Sequence, residues 1–255
     1  MSEFQFRIKA ALIHLLVSAL VVSLVAGLIL LLWYPWPYSR MAGGLNLLVL
    51  VATVDLFLGP MLTLVIFDSR KTRSVLFKDI LVIGCLQLAG LLYGAHTVYL
   101  ARPVALVFEG SRFRVVSAAG VQENELPQAL PEFRSLSMMG PRLTGTRPFR
   151  NQQEKMEAAD KAMAGVDIGL RPVFWQDYRL SVPQVLSVSR PVELLYQKYP
   201  ADQGLIDERI KATGHSRSQL KFLPLIAREG GGDWLVLIDA ISAQPVGFIE
   251  KDGFF

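Results

Sequence analysis

An aspartate, a proline and a threonine stand inside the apolar run VDLFLGPMLTLVIF, from Val54 to Phe67. Asp55 brings a carboxyl that can serve as acid or base, pair with a cation, or exchange hydrogen bonds. At the middle of an apolar helix its stem is too short to reach water at either end. It must therefore be paired, hydrated or protonated. Gly59 and Thr63 follow one and two turns on, so an acid, a gap and a hydroxyl share one helix face. Pro60 has no N–H and frees the carbonyl of Leu56, which predicts a kink and a carbonyl that needs a partner. Thr63 can bond back to Gly59.

A second run supplies a matching face. In QLAGLLYG, Gln87, Gly90 and Gly94 fall at i, i+3 and i+7, and the two glycines make the G-x-x-x-G spacing of close helix contact. Matching depth brings Ser23 of an earlier apolar run, and Gln87 or Tyr93 of this one, within reach of Asp55 as hydrogen-bond partners. Asp55, Gly59, Pro60, Thr63, Gln87, Gly90, Tyr93 and Gly94 thus form one face with two readings. Either the two helices pack polar side to polar side, or the same groove accepts a transmembrane helix of another protein. An ionisable residue at this depth is a functional candidate by default.

Other chemistry is hard to find. His14, His96 and His215 stand apart from any ligand spacing, and neither H-E-x-x-H nor G-x-S-x-G occurs. The GHS at Gly214 to Ser216 reads as a helix-end turn. Gly230 to Gly232 precede no helix opening on Lys-Ser or Lys-Thr, so they read as a hairpin turn rather than a phosphate loop. Cys85 is the single cysteine, which removes a dithiol redox pair and any internal disulfide. No catalytic residue, metal or cofactor is expected.

The elements that must position Asp55 follow from hydropathy. Hydrophobic residues make up 52% of the chain and charged ones 19%, with mean hydropathy +0.37; the apolar excess lies in the first hundred residues. Three runs match the roughly 20 residues that span a bilayer: about 10–33, 45–67 and 80–100. The first is too long for a signal-peptide core and no A-x-A site follows, so it reads as an uncleaved anchor. WYPWPYSR then places Trp33, Tyr34, Trp36 and Tyr38 where rings favour the headgroup layer, with Pro35 and Pro37 ending the helix. Arg7, Lys9, Arg70, Lys71, Arg73 and Lys78 flank one side and only Arg40 the other. Positive-inside puts the amino terminus in the cytoplasm and everything after the third span across the membrane, in a bacterium the periplasm. The formal charge of +4 is mostly this topogenic charge, because basic and acidic residues nearly balance from Arg102 onward, 19 against 18. Nucleic acid is not an expected partner.

The remainder reads as α+β. RPVALVFEGSRFRVV predicts a hairpin around Gly110 and Ser111. NQQEKMEAADKAMAGV predicts a helix ending near Gly165, with Met156, Ala159, Met163 and Val166 on its packing face and a Glu157 to Lys161 pair. Further helices are expected over Pro191 to Tyr199 and Leu205 to Thr213, then strands over Phe222 to Ala227, Trp234 to Asp239 and Val246 to Glu250 as an antiparallel meander. Pro131 to Arg150, with Arg134, Arg142, Arg147 and Arg150, reads as a solvated or lipid-facing basic loop, or as a docking surface for an acidic partner. The expected fold is a membrane protein: three transmembrane α-helices in 1–100, then an extracytoplasmic α+β domain, 101–255, with a mainly antiparallel sheet.

VDLFLGPMLTLVIF, LQLAGLLYG, RPVALVFEGSRFRVV and the closing LPLIAREGGGDWLVLIDAISAQPVGF together resemble the TfpX/TfpZ family of type IV pilin accessory proteins, also called FimB-like, through nearly the whole chain. The resemblance implies a multi-pass bacterial inner-membrane protein. Its partners would be the type IV major pilin, the pilus assembly machinery and the lipid bilayer, and it would promote or modulate pilus assembly in a chaperone-like, non-catalytic way. No catalytic residues are defined for that family. Its members often end in an Asp-Pro-Trp-like tail, whereas this chain ends KDGFF. Two rivals from other classes stay open: a membrane enzyme modifying pilin or lipid with Asp55 as acid or base, and a membrane-anchored sensor with a ligand-binding outer domain.

Overall fold

The computed structural model describes residues 3–227 and 234–255, so the turn expected at Gly230 to Gly232 lies outside the described residues. The chain divides into two compact units, Met1–Arg102 and Pro103–Phe255.

The first unit holds α1 (Glu3–Leu32), the single turn α2 (Tyr38–Met41), α3 (Gly44–Ile66) and α4 (Arg73–Ala101). The three long helices are each long and apolar enough to cross a membrane. α1 and α4 begin several residues before their apolar runs and take in Arg7, Lys9 and Lys78, because backbone hydrogen bonding continues through charged residues of good helix propensity. α3 is the middle element and packs against both of the others.

Polar contacts tie the helix ends together. The Ser69 N–H donates to the Glu3 carboxylate at 2.9 Å, and Lys71 reaches Asp79 at 2.6 Å and the Ile66 carbonyl at 2.9 Å. At the opposite end the buried Tyr34 hydroxyl donates to the Val98 carbonyl at 2.8 Å. Its ring lies so close over Gly44 that a β-carbon there would overlap it. Gly43, just before, turns the chain with φ of 69°, a left-handed value suited to glycine. Trp33 meets Tyr99 edge-on at 5.2 Å between centroids.

The second unit is an eight-stranded sheet in the order β4-β3-β1-β2-β6-β7-β8, with β5 also paired to β6. Its strands are β1 (Pro103–Phe108), β2 (Phe113–Ser117), β3 (Arg142–Thr146), β4 (Trp175–Asp177), β5 (Arg190–Pro191), β6 (Leu220–Ile226), β7 (Trp234–Asp239) and β8 (Pro245–Ile249). The β1–β2 hairpin and the β6–β7–β8 meander form as expected. The sheet is nonetheless mixed rather than mainly antiparallel. β1 pairs with β3, and β2 with β6, in parallel. Parallel neighbours need long crossovers, and a reading built on local turns sees only hairpins. β1 is buried along its whole length, as a strand covered on both faces must be.

Among the described residues four α-helices accompany the sheet: α5 (Gln152–Met163), α6 (Val182–Val188), α7 (Glu193–Lys198) and α8 (Gln203–Ala212). Leu195 of α7 and Ile206 and Ile210 of α8 pack on Phe222, Leu235 and Leu237. On β1 and β2, Val104, Val107 and Val116 pack with Phe133 and Trp175. The closing Phe255 joins the first of these groups, its ring 6.1 Å from that of Tyr199 and 5.9 Å from that of Phe222.

α5 corrects one expectation. Met156 and Met163 point to solvent, Met163 with 83% of its surface exposed, while Ala158 is buried. The helix is held by ion pairs rather than by its methionines: Arg147 grips both oxygens of Glu154 at 2.7 and 2.9 Å. The expected Glu157 to Lys161 pair forms at 3.6 Å. Asn151 caps the start by accepting from the Glu154 N–H at 2.8 Å. The stretch from Pro131 to Arg150 is likewise no simple basic loop. It carries β3, Arg142 lies 5.6 Å from the centre of the Phe133 ring, and Arg134 donates to the Ala129 carbonyl at 3.1 Å.

The Arg147 fork, joined by the Arg150 N–H, holds the Glu154 carboxyl down to about 2 from an ordinary 4.5. A depressed carboxyl stabilises the fold above its unfolded value, and that stability is lost as pH falls through the folded one. Acid titration of thermal stability should therefore show a loss between about pH 4.5 and 2 that Glu154→Gln removes from the profile. An unchanged acid limb in the variant would contradict the assignment.

Candidate functional site

The three long helices place the sequence-predicted residues on two sides of Asp55. On the side closed by α1, Gln87 of α4 reaches between the helices. Its amide nitrogen donates to the backbone carbonyl of Asp55 at 3.0 Å and to Ser18 Oγ at 3.3 Å. Its amide oxygen bonds to His14 Nε2, and His14 Nδ1 bonds to Thr63 Oγ1. An amide oxygen only accepts, so His14 donates from Nε2, and in the neutral ring Nδ1 then accepts from the threonine hydroxyl. One glutamine thereby joins all three helices.

Gly59 makes that reach possible. A β-carbon there would overlap the Gln87 carboxamide, so the missing side chain is the gap through which Gln87 touches the α3 backbone. Pro60 lies inside the continuous helix α3. The carbonyl that Gln87 caps, that of Asp55, is the immediate neighbour of the Leu56 carbonyl that Pro60 frees. Close helix contact at the second glycine of the G-x-x-x-G pair is also present, because a β-carbon on Gly94 would come within 2.5 Å of Val51 Cγ2.

Three local expectations change. Ser23 faces outward, and Ser18 takes its place, one turn and a fraction earlier in α1. Thr63 bonds to His14 rather than back to Gly59. His14, isolated in sequence, is central in space. The signal that could have found it is its i, i+4 spacing with Ser18 and i, i+8 spacing with Val22, which together mark the buried stripe of α1.

On the other side the picture is open. Tyr93 is 77% exposed and does not bond to Asp55. A groove of about 290 Å³ runs between α3 and α4, lined by Leu50, Val54 and Asp55 on one wall and Gly90, Tyr93 and Thr97 on the other. Asp55 is only 5% exposed, yet its carboxyl faces this groove: a β-carbon on Gly90 would stand 3.8 Å from Oδ1. A second groove of about 210 Å³, over α1 and α4, also has Asp55 at its floor, beside His14, Ser18 and Gln87. Of the eight predicted residues, Gly59, Thr63 and Gln87 thus belong to the side that α1 bridges, and Gly90 and Tyr93 to the groove between α3 and α4. Asp55 lies between them. Among the described residues no group of three or more His, Cys, Asp or Glu could hold a metal ion.

The amino-terminal residues 2–43 match the family model of the fimbrial assembly protein FimB. The chain is 35% identical over 238 residues to the fimbrial assembly protein of serogroup I from Dichelobacter nodosus, covering 93% of this chain and 92% of that relative. It is 34% identical over the same length to the serogroup E1 protein of that organism, with the same coverage. The serogroups C1 and C2 protein is 40% identical over 127 residues, which is half of this chain and 97% of that relative. No solved structure matches the chain.

Proposed function

Because this chain belongs to the FimB family of fimbrial assembly proteins, we propose that it serves pilus assembly as an inner-membrane accessory protein that binds the type IV pilin subunit. Its action is chaperone-like and non-catalytic: it holds the subunit and delivers it to the assembly machinery without changing a covalent bond. α1, α3 and α4 span the bilayer, with the amino terminus and the α3–α4 turn in the cytoplasm and the second unit in the periplasm. Arg7, Lys9, Arg70, Lys71, Arg73 and Lys78 at one end, and the Trp33, Tyr34, Trp36 and Tyr38 belt at the other, support that orientation.

The observation that carries the reading is the groove between α3 and α4, open to the surroundings and floored by a buried carboxyl. Apolar helices in lipid gain little from mutual hydrophobicity, so a partner helix is recognised by small residues that allow close approach and by polar groups inside the contact. Both are present here.

Two measurements test the proposal together. Pilin should co-purify with this protein from solubilised membranes, and cells lacking it should carry fewer pili while the pilin mass stays unchanged by mass spectrometry. A pilin whose mass shifts when the protein is removed, or when Asp55→Asn replaces the wild type at an equal protein level, would make it an enzyme and overturn the non-catalytic reading.

A further inference from the structure

Asp55 presents an unsolved hydrogen-bonding problem. Its side chain is about as buried as a core residue, and among the described residues its carboxyl receives no hydrogen bond. Three donor side chains that line its two grooves, Gln87, His14 and Thr97, are engaged elsewhere, and Tyr93 is largely exposed and does not bond to it. The two amide hydrogens of Gln87 go to Ser18 Oγ and to the backbone carbonyl of Asp55, not to its carboxyl. The Nε2 proton of His14 goes to Gln87 and the Thr63 hydroxyl to His14. The Thr97 hydroxyl is spent on the Tyr93 carbonyl at 3.0 Å. Leaving a carboxyl without a hydrogen-bond partner in an apolar setting is costly, and a donor on a docked partner offsets that cost.

Asp55 borders two grooves, and its Oδ1 faces the one between α3 and α4. Its walls run from Leu47 to Asp55 on α3 and from Gly90 to Val98 on α4, about two and a half helical turns of each. That is the footprint of a helix laid alongside. A side chain at position 90 would stand over Oδ1, and Gly90 leaves that approach clear.

We propose, resting on the pilin reading above, that the Asp55 carboxyl is the specificity determinant of this groove: it accepts a hydrogen bond from an N–H or O–H donor that the membrane helix of pilin carries at the same depth. A lipid chain can fill the same volume but offers no donor to the carboxyl. A second copy of this chain seated through the same face would bring a second carboxyl into the same apolar space.

The experiment uses the full chain in cells, with a photo-crosslinking residue at Leu50 on the groove wall and, as control, at Leu28 on the outward face of α1. Pilin adducts are expected from Leu50 and not from Leu28. Asp55→Leu should lower both the Leu50 adduct and the recovered pilin at least tenfold. Asp55→Asn, which keeps an acceptor oxygen, should lower them less. Because Asp55→Leu could disturb the helices themselves, two glycine variants separate fold from docking. No atom lies closer than 3.8 Å to a β-carbon on Gly90, and none within 4 Å of one on Gly84. Both Gly90→Leu and Gly84→Leu should therefore insert at wild-type levels. Only Gly90→Leu fills the α3–α4 groove and should abolish the adduct; Gly84→Leu fills the other groove and should not.

Failure takes distinguishable forms. If wild-type protein recovers no pilin, the pilin reading falls and this inference with it. If pilin is recovered equally from wild type, Gly90→Leu and Asp55→Leu, the pilin reading stands and the groove assignment is overturned. Leu50 adducts with a second copy of this chain, or with lipid alone, overturn it in the same way.

Discussion

Gly59→Val is expected to loosen the three-helix unit by about 3 to 5 kcal/mol. The valine side chain occupies the place of the Gln87 carboxamide, so Gln87 must leave and its contacts with Asp55, Ser18 and His14 are lost together. Interhelical hydrogen bonds in membranes average about 0.6 kcal/mol and reach about 1.7, so three of them supply about 2. Forcing extra volume into a packed contact adds about 1 to 3 kcal/mol. Thermal unfolding in detergent checks the direction and Gly84→Val, where nothing lies within 4 Å of the new β-carbon, provides the baseline. Gln87→Ala should add little on top of Gly59→Val, since both remove one junction. Full additivity of the two would show that Gly59 and Gln87 act separately.

The second large effect lies in the other unit. Glu109, whose side chain is 2% exposed, pairs with Arg112 at 2.9 Å and with Arg114, whose side chain is 5% exposed. Arg112 and Arg114 both continue to Asp167. Gly169 leaves the room this requires, because a β-carbon there would strike the Glu109 carboxyl. Glu109→Ala strips the buried Arg114 of its buried partner, a change that costs about 3 to 5 kcal/mol. For a domain of this size that corresponds to a midpoint roughly 10 °C lower, read by the fluorescence of Trp175 and Trp234. Buried pairs are little screened by ions, so the deficit should persist at high salt. A deficit that vanishes in high salt would place the pair at the surface.

Much of this architecture was legible in the residues. Long apolar runs declare helices whatever surrounds them, and the turns at Gly110 and Gly214 are written locally; both take positive φ in the structure. The two ends of the meander could be read for the same reason. What escaped was set by distant neighbours. Whether β3 lies beside β1 depends on a crossover, not on any turn, and Arg142 to Thr146 sits in a stretch whose arginines suggest a loop. Methionine is usually a packing residue, so the sequence points to the wrong face of α5; in the structure Glu154 and Ala158 turn inward and Arg147 supplies the attraction.

The candidate site divides along the same line. Asp55, Gly59, Thr63 and Gln87 declare themselves by being polar or small in an oily run. Their pairing does not follow from that. Depth matching suggested Ser23, but which face of α1 meets α3 is fixed by the whole buried stripe from Ser18 through Val22 to Ile29. His14 lies on that stripe and is invisible to any search for ligand spacing, because its work is to bridge Thr63 and Gln87.

Gln87 also sets an order of events during synthesis. The ribosome delivers α1 and α3 first, and at that moment His14, Ser18 and the backbone at Asp55 all lack the one side chain that links them. The first two helices can pack and join through His14 and Thr63, but their polar junction is incomplete. The junction is completed by α4, so its last contacts form only when the third long helix has left the exit tunnel. A chain arrested before Gln87 keeps the His14 to Thr63 contact but lacks the amide that ties both helices to α4.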